Sequence, residues 1–191
     1  MPELPEVETV RRGIDRVALN RRITRVEVGR ERTVRRTSRE ELIDGLSGSR
    51  IVATRRHGKY LLCDLDTGYA VMIHLRMSGR VLVVEAGTQR PPHTHVVAHL
   101  EGTSEFAPGE LWFVDPRTFG EVVVFDPEHP EVLVPELARL GPDPLAPGFT
   151  PEVLADRLRG KRTNLKATLL DQGVVAGIGN IYADEILHRA K

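Results

Sequence analysis

Apolar residues recur at Val7, Val10, Ile14 and Val17, spaced three, four and three apart, so residues 5–19 present one apolar face of an amphipathic helix. Glu6 and Glu8 stand in its first turn, where the helix dipole favours negative charge. The period then changes. Short segments of β character follow at Ile23–Val28, Ile51–Thr54, Tyr60–Leu65, Val71–Leu75, Val81–Glu85, His95–Leu100, Leu111–Val114 and Val122–Phe125. Asp66-Thr67-Gly68, Ser78-Gly79, Pro91-Pro92 and Pro108-Gly109 punctuate them, a pattern that predicts an antiparallel β-sandwich or barrel. Between the first two segments, Ser38 followed by Glu41 has the form of a capping box, and Leu42 and Leu46 give a short helix an apolar edge. From Gly141 to Pro151, four prolines and two glycines exclude regular structure. Helical segments follow near Pro151–Leu158 and Thr163–Asp171, then a turn over Gly173–Asn180 and a last helix from Ile181 to the final residue. The expected fold class is α+β: a sandwich domain over residues 1–140 flanked by its N-terminal helix, a linker at 141–150, and a small helical domain over 151–191. Three short helices make a poor core of their own.

The net charge of zero conceals an asymmetry. Residues 11–59 hold 15 Lys or Arg against 6 Asp or Glu, whereas residues 85–156 hold 3 against 13. A basic surface of this kind suits a polyanion such as nucleic acid, the plain alternative being an ordinary solvated face. No run of 18 apolar residues occurs, and the N-terminus has neither a basic n-region nor an apolar h-region, so an intracellular, cytoplasmic protein with no membrane partner is expected. Cys63 is the only cysteine, which excludes an internal disulfide and a multi-cysteine zinc site; it is expected in a buried strand. His93, His95 and His99 include an H-x-H pair, but no carboxylate or thiol partner accompanies them and no metal site is predicted.

The chemistry concentrates at the start. Pro2 is small enough for removal of Met1, which would free a secondary amine, and an α-amino pKa near 8 leaves a usable neutral fraction. Such an amine can attack a sugar anomeric carbon and open it to a cationic iminium, an electron sink. The adjacent Glu3 can shuttle protons during that opening. A bare Pro-Glu terminus otherwise only starts a helix.

The stretch Met1-Pro2-Glu3-Leu4-Pro5-Glu6-Val7-Glu8-Thr9-Val10-Arg11-Arg12-Gly13 resembles the N-terminus of the bacterial formamidopyrimidine-DNA glycosylases. Further matching stretches are His57-Gly58-Lys59-Tyr60-Leu61-Leu62, His74-Leu75-Arg76-Met77-Ser78-Gly79, Asp115-Pro116-Arg117-Thr118-Phe119-Gly120, Leu140-Gly141-Pro142-Asp143-Pro144-Leu145 and the run from Asp171 to Glu185. The resemblance covers essentially the whole chain. It implies a β-sandwich followed by a helix-two-turn-helix, and removal of oxidised purines such as 8-oxoguanine and formamidopyrimidines from double-stranded DNA, with lyase activity at abasic sites. Pro2 is then the nucleophile, Glu3 the acid/base, Glu6 a support at the helix start, and Lys59 a loop lysine that binds phosphate and assists elimination. Met77, Arg117 and Phe119 match a trio that fills the gap left by an extruded nucleotide, as chemistry at a glycosidic carbon requires. His74, Lys161, Arg162, Lys166 and Asn180 fall at DNA-contacting positions. Gly177-Ile178-Gly179-Asn180 precedes a helix, where backbone N–H groups converge on an anion. Thr118 stands where many relatives carry a basic residue.

The resemblance also implies a difference. The family's base-capping loop and four-cysteine zinc finger have no counterpart in these 191 residues. A monomer with no cofactor is therefore expected, with fewer phosphate contacts, weak and salt-sensitive duplex binding, and little excision at physiological salt. The competing reading is a truncated or degenerate relative that binds DNA without efficient excision.

Overall fold

In the computed structural model, which describes residues 1–191, eight strands form two four-stranded antiparallel sheets. The strands are β1 (Ile23–Val28), β2 (Ile51–His57), β3 (Tyr60–Leu65), β4 (Ala70–His74), β5 (Arg80–Glu85), β6 (Thr94–Leu100), β7 (Gly109–Val114) and β8 (Glu121–Phe125). Their orders are β1-β6-β7-β5 and β2-β3-β4-β8. The expected α+β sandwich is what forms, and β2 exceeds its apolar run the most: it continues through Arg55, Arg56 and His57, because the ladder to β3 persists to the His57–Tyr60 pair.

The inner faces of both sheets share one apolar core, including Ile23, Ile51, Leu61, Ile73, Phe113 and Val122. Two helices close its open sides. Helix α1 (Leu4–Ala18) buries Val7, Ile14 and Ala18 and lies across the edge strands β2 and β5. Helix α2 (Arg39–Leu46) buries Leu42 and Leu46 against the opposite edges, β1 and β8. The Ser38–Glu41 capping box is present: the Glu41 N–H donates to the Ser38 hydroxyl at 3.0 Å, and the Ser38 N–H to the Glu41 carboxylate at 2.7 Å.

Strands β3, β4 and β8 are buried on both faces, which explains their nearly continuous apolar runs. Their outer cover was not evident from the apolar period. It comes from α3 (Pro130–Leu133) and the tight turn Pro135–Arg139, whose Leu133, Val134 and Leu137, followed by Leu140, pack on Leu62, Met72 and Phe125. The single cysteine, Cys63, lies in β3 facing the sandwich core, and burial pushes its thiol up to about 12.

The helical tail comprises α4 (Pro151–Leu158), α5 (Leu165–Leu170) and α6 (Asn180–Ala190). Helix α5 is shorter than the expected Thr163–Asp171, since the Asn164 side chain caps it by accepting from the Ala167 N–H at 2.8 Å. Leu169, Val174, Val175, Ile178 and Ala183 form a small core of their own. No helix is long and apolar enough to cross a membrane.

Candidate active site

The N-terminus docks on the start of α6. The Glu3 carboxylate accepts N–H groups from Gly179 at 2.7 Å, Ile181 at 2.9 Å and Tyr182 at 3.2 Å, three donors that the first turn of α6 would otherwise leave open. Glu3 is only 2% exposed. The glycine-rich turn therefore does gather backbone amides around an anion, but the anion is the chain's own Glu3. Gly179 occupies the cap position, and a Cβ there would sit 2.3 Å from the Glu3 carboxyl carbon, so no side chain fits. At Gly177, φ is +100° and a Cβ would fall 2.6 Å from Leu4; its carbonyl accepts the Leu4 N–H at 3.1 Å. Asn180 is the first helical residue rather than the cap, and it is exposed. Glu6 is exposed and accepts the Glu3 N–H at 3.0 Å. Pro2 is half-buried, with Met1 projecting beyond it.

Lys59 borders the same place. It is the second residue of the two-residue turn between β2 and β3, with Gly58 supplying the positive φ, +57°, that tight hairpins demand. The turn presses on the helical tail: a Cβ on Gly58 would lie 2.9 Å from the Ala176 methyl. Lys59 is therefore 8% exposed, not a side chain on a flexible loop. Burial lowers its pKa from the ordinary value, and the Glu3 carboxylate partly opposes that shift. No carboxylate forms an ion pair with it. The structure thus places an ammonium and a carboxylate beside the amino terminus, both withdrawn from solvent.

Strand register places the remaining candidates along one end of the second sheet. Tyr60 pairs with His74, and His74 with Glu121, so the Gly58-Lys59 turn and the loops after β4 and before β8 emerge side by side. His74 is buried edge-on to the Tyr60 ring, and its Nδ1 accepts the Arg76 N–H at 3.0 Å, which leaves Nε2 to carry the proton. Burial first, then the charges of Arg76 and Lys59, push its pKa down to about 3. Beneath it, Arg35, Arg36 and Arg76 converge on the buried Glu121.

The two loops carry the trio. Met77 is 47% and Phe119 43% exposed, far from core values, and Arg117 approaches the Met77 sulfur at 3.8 Å while facing no carboxylate. Asp115 ties the loops together: it accepts from the Ser78 hydroxyl and from the N–H groups of Arg117 at 3.2 Å and Gly120 at 2.7 Å. His95 supports it from below, Nε2 lying 2.8 Å from the Asp115 carbonyl. Thr118 is buried and offers no side chain at the surface. His99 lies against Glu27 and Glu110, and His93 is exposed outside the strand, so the three histidines do not converge; no group of three potential ligands is arranged for a metal.

Charge is less available than the segment count suggests. Many of the arginines in residues 11–59 are paired, Arg11 and Arg12 with Glu8, Arg55 with Asp64 and Arg56 with Asp143 among them. In the tail, Lys161 lies 3.9 Å from Asp171 and Lys166 2.7 Å from Asp184, while Arg162 is exposed without a carboxylate partner. Pro2, Glu3, Lys59 and Asn180 are brought together, and His74, Met77, Arg117 and Phe119 extend from them along the sheet end. Sequence reasoning singled out neither Asp115 nor Arg76, although both lie inside matched stretches.

Residues 1–122 match the family model of the formamidopyrimidine-DNA glycosylase N-terminal domain, and residues 140–191 match that of the H2TH domain of the same enzymes. The formamidopyrimidine-DNA glycosylase of Carboxydothermus hydrogenoformans is 45% identical over 190 residues, covering all of this chain and 66% of the relative. That of Symbiobacterium thermophilum is 47% identical over 191 residues, covering all of this chain and 60% of the relative. The chain thus spans less than two thirds of the length of these proteins. Among solved structures, Lactococcus lactis Fpg in complex with DNA containing an abasic site superposes with a TM-score of 0.84 at 34% identity, over 97% of this chain and 65% of that one. An L. lactis mutant bound to Fapy-dG-containing DNA gives 0.84 at 35%, over 97% and 66%.

Proposed function

The chain belongs to the formamidopyrimidine-DNA glycosylase family, and from that premise we propose that it acts on double-stranded DNA as a base-excision glycosylase and abasic-site lyase, with oxidised purines as its targets. The observation that carries this reading is the seating of Glu3, next to the Pro2 nitrogen, on the first turn of α6, with the Gly58-Lys59 turn packed on Ala176 and Gly177 just ahead of that helix and Lys59 within electrostatic reach of Glu3.

Removal of Met1 frees the Pro2 nitrogen. The amine attacks C1′ of the damaged nucleotide, the glycosidic bond breaks, and the base leaves with the bonding electrons and a proton. Ring opening gives an iminium between Pro2 and C1′, with O4′ taking up a proton that Glu3 relays. The iminium acidifies C2′–H, and loss of that proton expels the 3′ phosphate; Lys59 neutralises the departing phosphate and assists this elimination. Water then releases the sugar from Pro2. His74, whose Nδ1 is occupied, keeps an Nε2–H for a neighbouring phosphate, and Asn180 stands exposed at the start of α6 for another. Lys161 and Lys166 reach phosphates only by leaving Asp171 and Asp184. Met77 and Phe119 enter the base stack and Arg117 faces the widowed base. The steps draw on the chain's own amine, carboxylate and ammonium; no cofactor is part of the proposal.

Borohydride trapping on a duplex with an abasic site tests the nucleophile. Pro2→Gly, or a residual N-terminal tag, is expected to abolish the trapped adduct, and Glu3→Gln to block base excision while leaving DNA binding. Undiminished trapping with a blocked terminus would identify another amine, Lys59 first, as the nucleophile.

A further inference from the structure

Arg56 and Asp143 form a nearly buried ion pair between the end of β2 and the proline-rich stretch, with side chains 6% and 11% exposed. The pairing is two-pronged: Arg56 Nη1 meets Asp143 Oδ2, and Nη2 meets Oδ1 at 2.9 Å. Both residues also hold the backbone of Gly58. The Gly58 N–H donates to Asp143 at 2.9 Å, and the Gly58 carbonyl accepts from Arg56 Nη1 at 2.9 Å. Asp143 takes the Leu145 N–H at 2.9 Å, and Arg56 Nε reaches Glu8 on α1 at 3.2 Å. On either side, His57 Nε2 lies 2.9 Å from the Gly141 carbonyl, and the Pro142 carbonyl accepts the Ala176 N–H at 3.0 Å. The stretch expected to act as a linker is thus bolted to the hairpin tip, one residue from Lys59.

We infer that Asp143, with Arg56, is a positioning residue for Lys59: its carboxylate fixes the Gly58 peptide and so holds the Lys59 ammonium beside Glu3. The geometry favours this over a role in general stability. An ion pair that only joined two segments would not need to grip both polar groups of one glycine backbone, Asp143 the Gly58 N–H and Arg56 the Gly58 carbonyl. Arg56 has only Asp143 and Glu8 beside it, and Glu8 is shared with Arg11 and Arg12, so removing the Asp143 carboxylate leaves a buried guanidinium and the Gly58 N–H short of an acceptor. The hairpin tip then loosens, Lys59 gains water, and its ammonium moves relative to the sugar. A displacement of about 1 Å at a reacting centre can cost roughly a hundredfold in rate.

The inference rests on the assignment of Lys59 to elimination, and the test separates the two. Single-turnover cleavage of an abasic duplex is measured for the whole chain and its Asp143→Asn, Asp143→Glu, Lys59→Ala and Asp143→Asn/Lys59→Ala variants. In parallel, the Lys59 ammonium is titrated by NMR, a readout that needs no activity. Asp143→Asn is expected to slow cleavage about tenfold to a hundredfold, to raise the Lys59 pKa towards its ordinary value, and to add nothing in the Lys59→Ala background. Asp143→Glu restores part of the rate. Slow cleavage by Lys59→Ala alongside an unaffected Asp143→Asn, or an unchanged Lys59 titration, overturns the inference alone. Unaffected cleavage by Lys59→Ala overturns the assignment of Lys59, and the inference with it. Additive losses in the double variant show that Asp143 acts by another route and overturn it as well.

Discussion

The bond between Glu3 and α6 has a cost of removal that can be worked out. Replacing Glu3 by Gln keeps the shape but leaves one acceptor where there were two. A glutamine carbonyl in the place of Oε2 can still serve Gly179 and Tyr182, and its NH2 group then faces the Ile181 N–H, donor against donor, across 2.9 Å. One charge-assisted bond is lost, worth about 1.5–3 kcal/mol, and two become neutral. The helix also loses a charge at its positive end, about 0.5–2 kcal/mol in a partly buried site. The expected net destabilisation is about 2–4 kcal/mol. For a chain of this length each kcal/mol moves the midpoint by roughly 2–4 °C, so Tm should fall by roughly 4–16 °C. Urea unfolding at pH 7, followed by circular dichroism, gives the free energy if the slope m is unchanged. Gly179→Ala attacks the same contact from the other side, since its methyl would lie 2.3 Å from the Glu3 carboxyl carbon. The two substitutions together should cost less than their sum. If Glu3→Gln leaves stability within about 0.5 kcal/mol of the parent, a range typical of exposed sites, and the amides of residues 179, 181 and 182 exchange as slowly as before, Glu3 does not hold α6 in solution.

Other expectations concern the sheet end. His74 has an ordinary pKa of 6.5 and a folded value of about 3, so between these the unfolded chain binds more protons. Its contribution is complete above about 6.5 and is lost as pH falls through about 3; an NMR titration midpoint above 6 would refute its burial as a neutral ring. Met77→Ala and Phe119→Ala should change stability by no more than about 0.5 kcal/mol, as exposed positions do, while slowing lesion excision from duplex DNA at least roughly tenfold. A large fall in Tm would make them core residues instead. Gly58→Ala, forced to φ +57° and against Ala176, should destabilise by about 1–3 kcal/mol in urea titrations, and an unchanged midpoint would mean that the hairpin tip does not press on the tail.

What the chain's pattern discloses is mostly local. The spacing of Val7, Val10, Ile14 and Val17 marks α1, and Ser38 with Glu41 marks the cap of α2, because both depend on residues a turn apart. Strand starts are visible where turn residues precede β-branched runs. Partnerships across the fold are not. Nothing near Lys59 in sequence tells that Ala176 and Asp143 bury its turn, and nothing near Pro130 tells that Leu133 and Val134 roof a sheet whose outer face would otherwise be wet. The glycines of Gly177-Ile178-Gly179-Asn180 signal an anion at the helix start, yet only the folded chain identifies it as Glu3. The trio at Met77, Arg117 and Phe119 is placed on exposed loops by Asp115, whose hydrogen bonds span 37 residues to Ser78.

The contact between Glu3 and α6 also sets an order of assembly. Its partners are separated by 176 to 179 positions, so Glu3 is made long before the amides that hold it. At 5–20 residues per second that interval is roughly 10–35 s, far longer than a helix or hairpin needs to form. The sandwich can therefore be built while Glu3 still lacks its three amides. A nascent chain in that interval has no seat for its amino terminus, so any chemistry that depends on Glu3 being held at α6 begins only when synthesis has passed Tyr182.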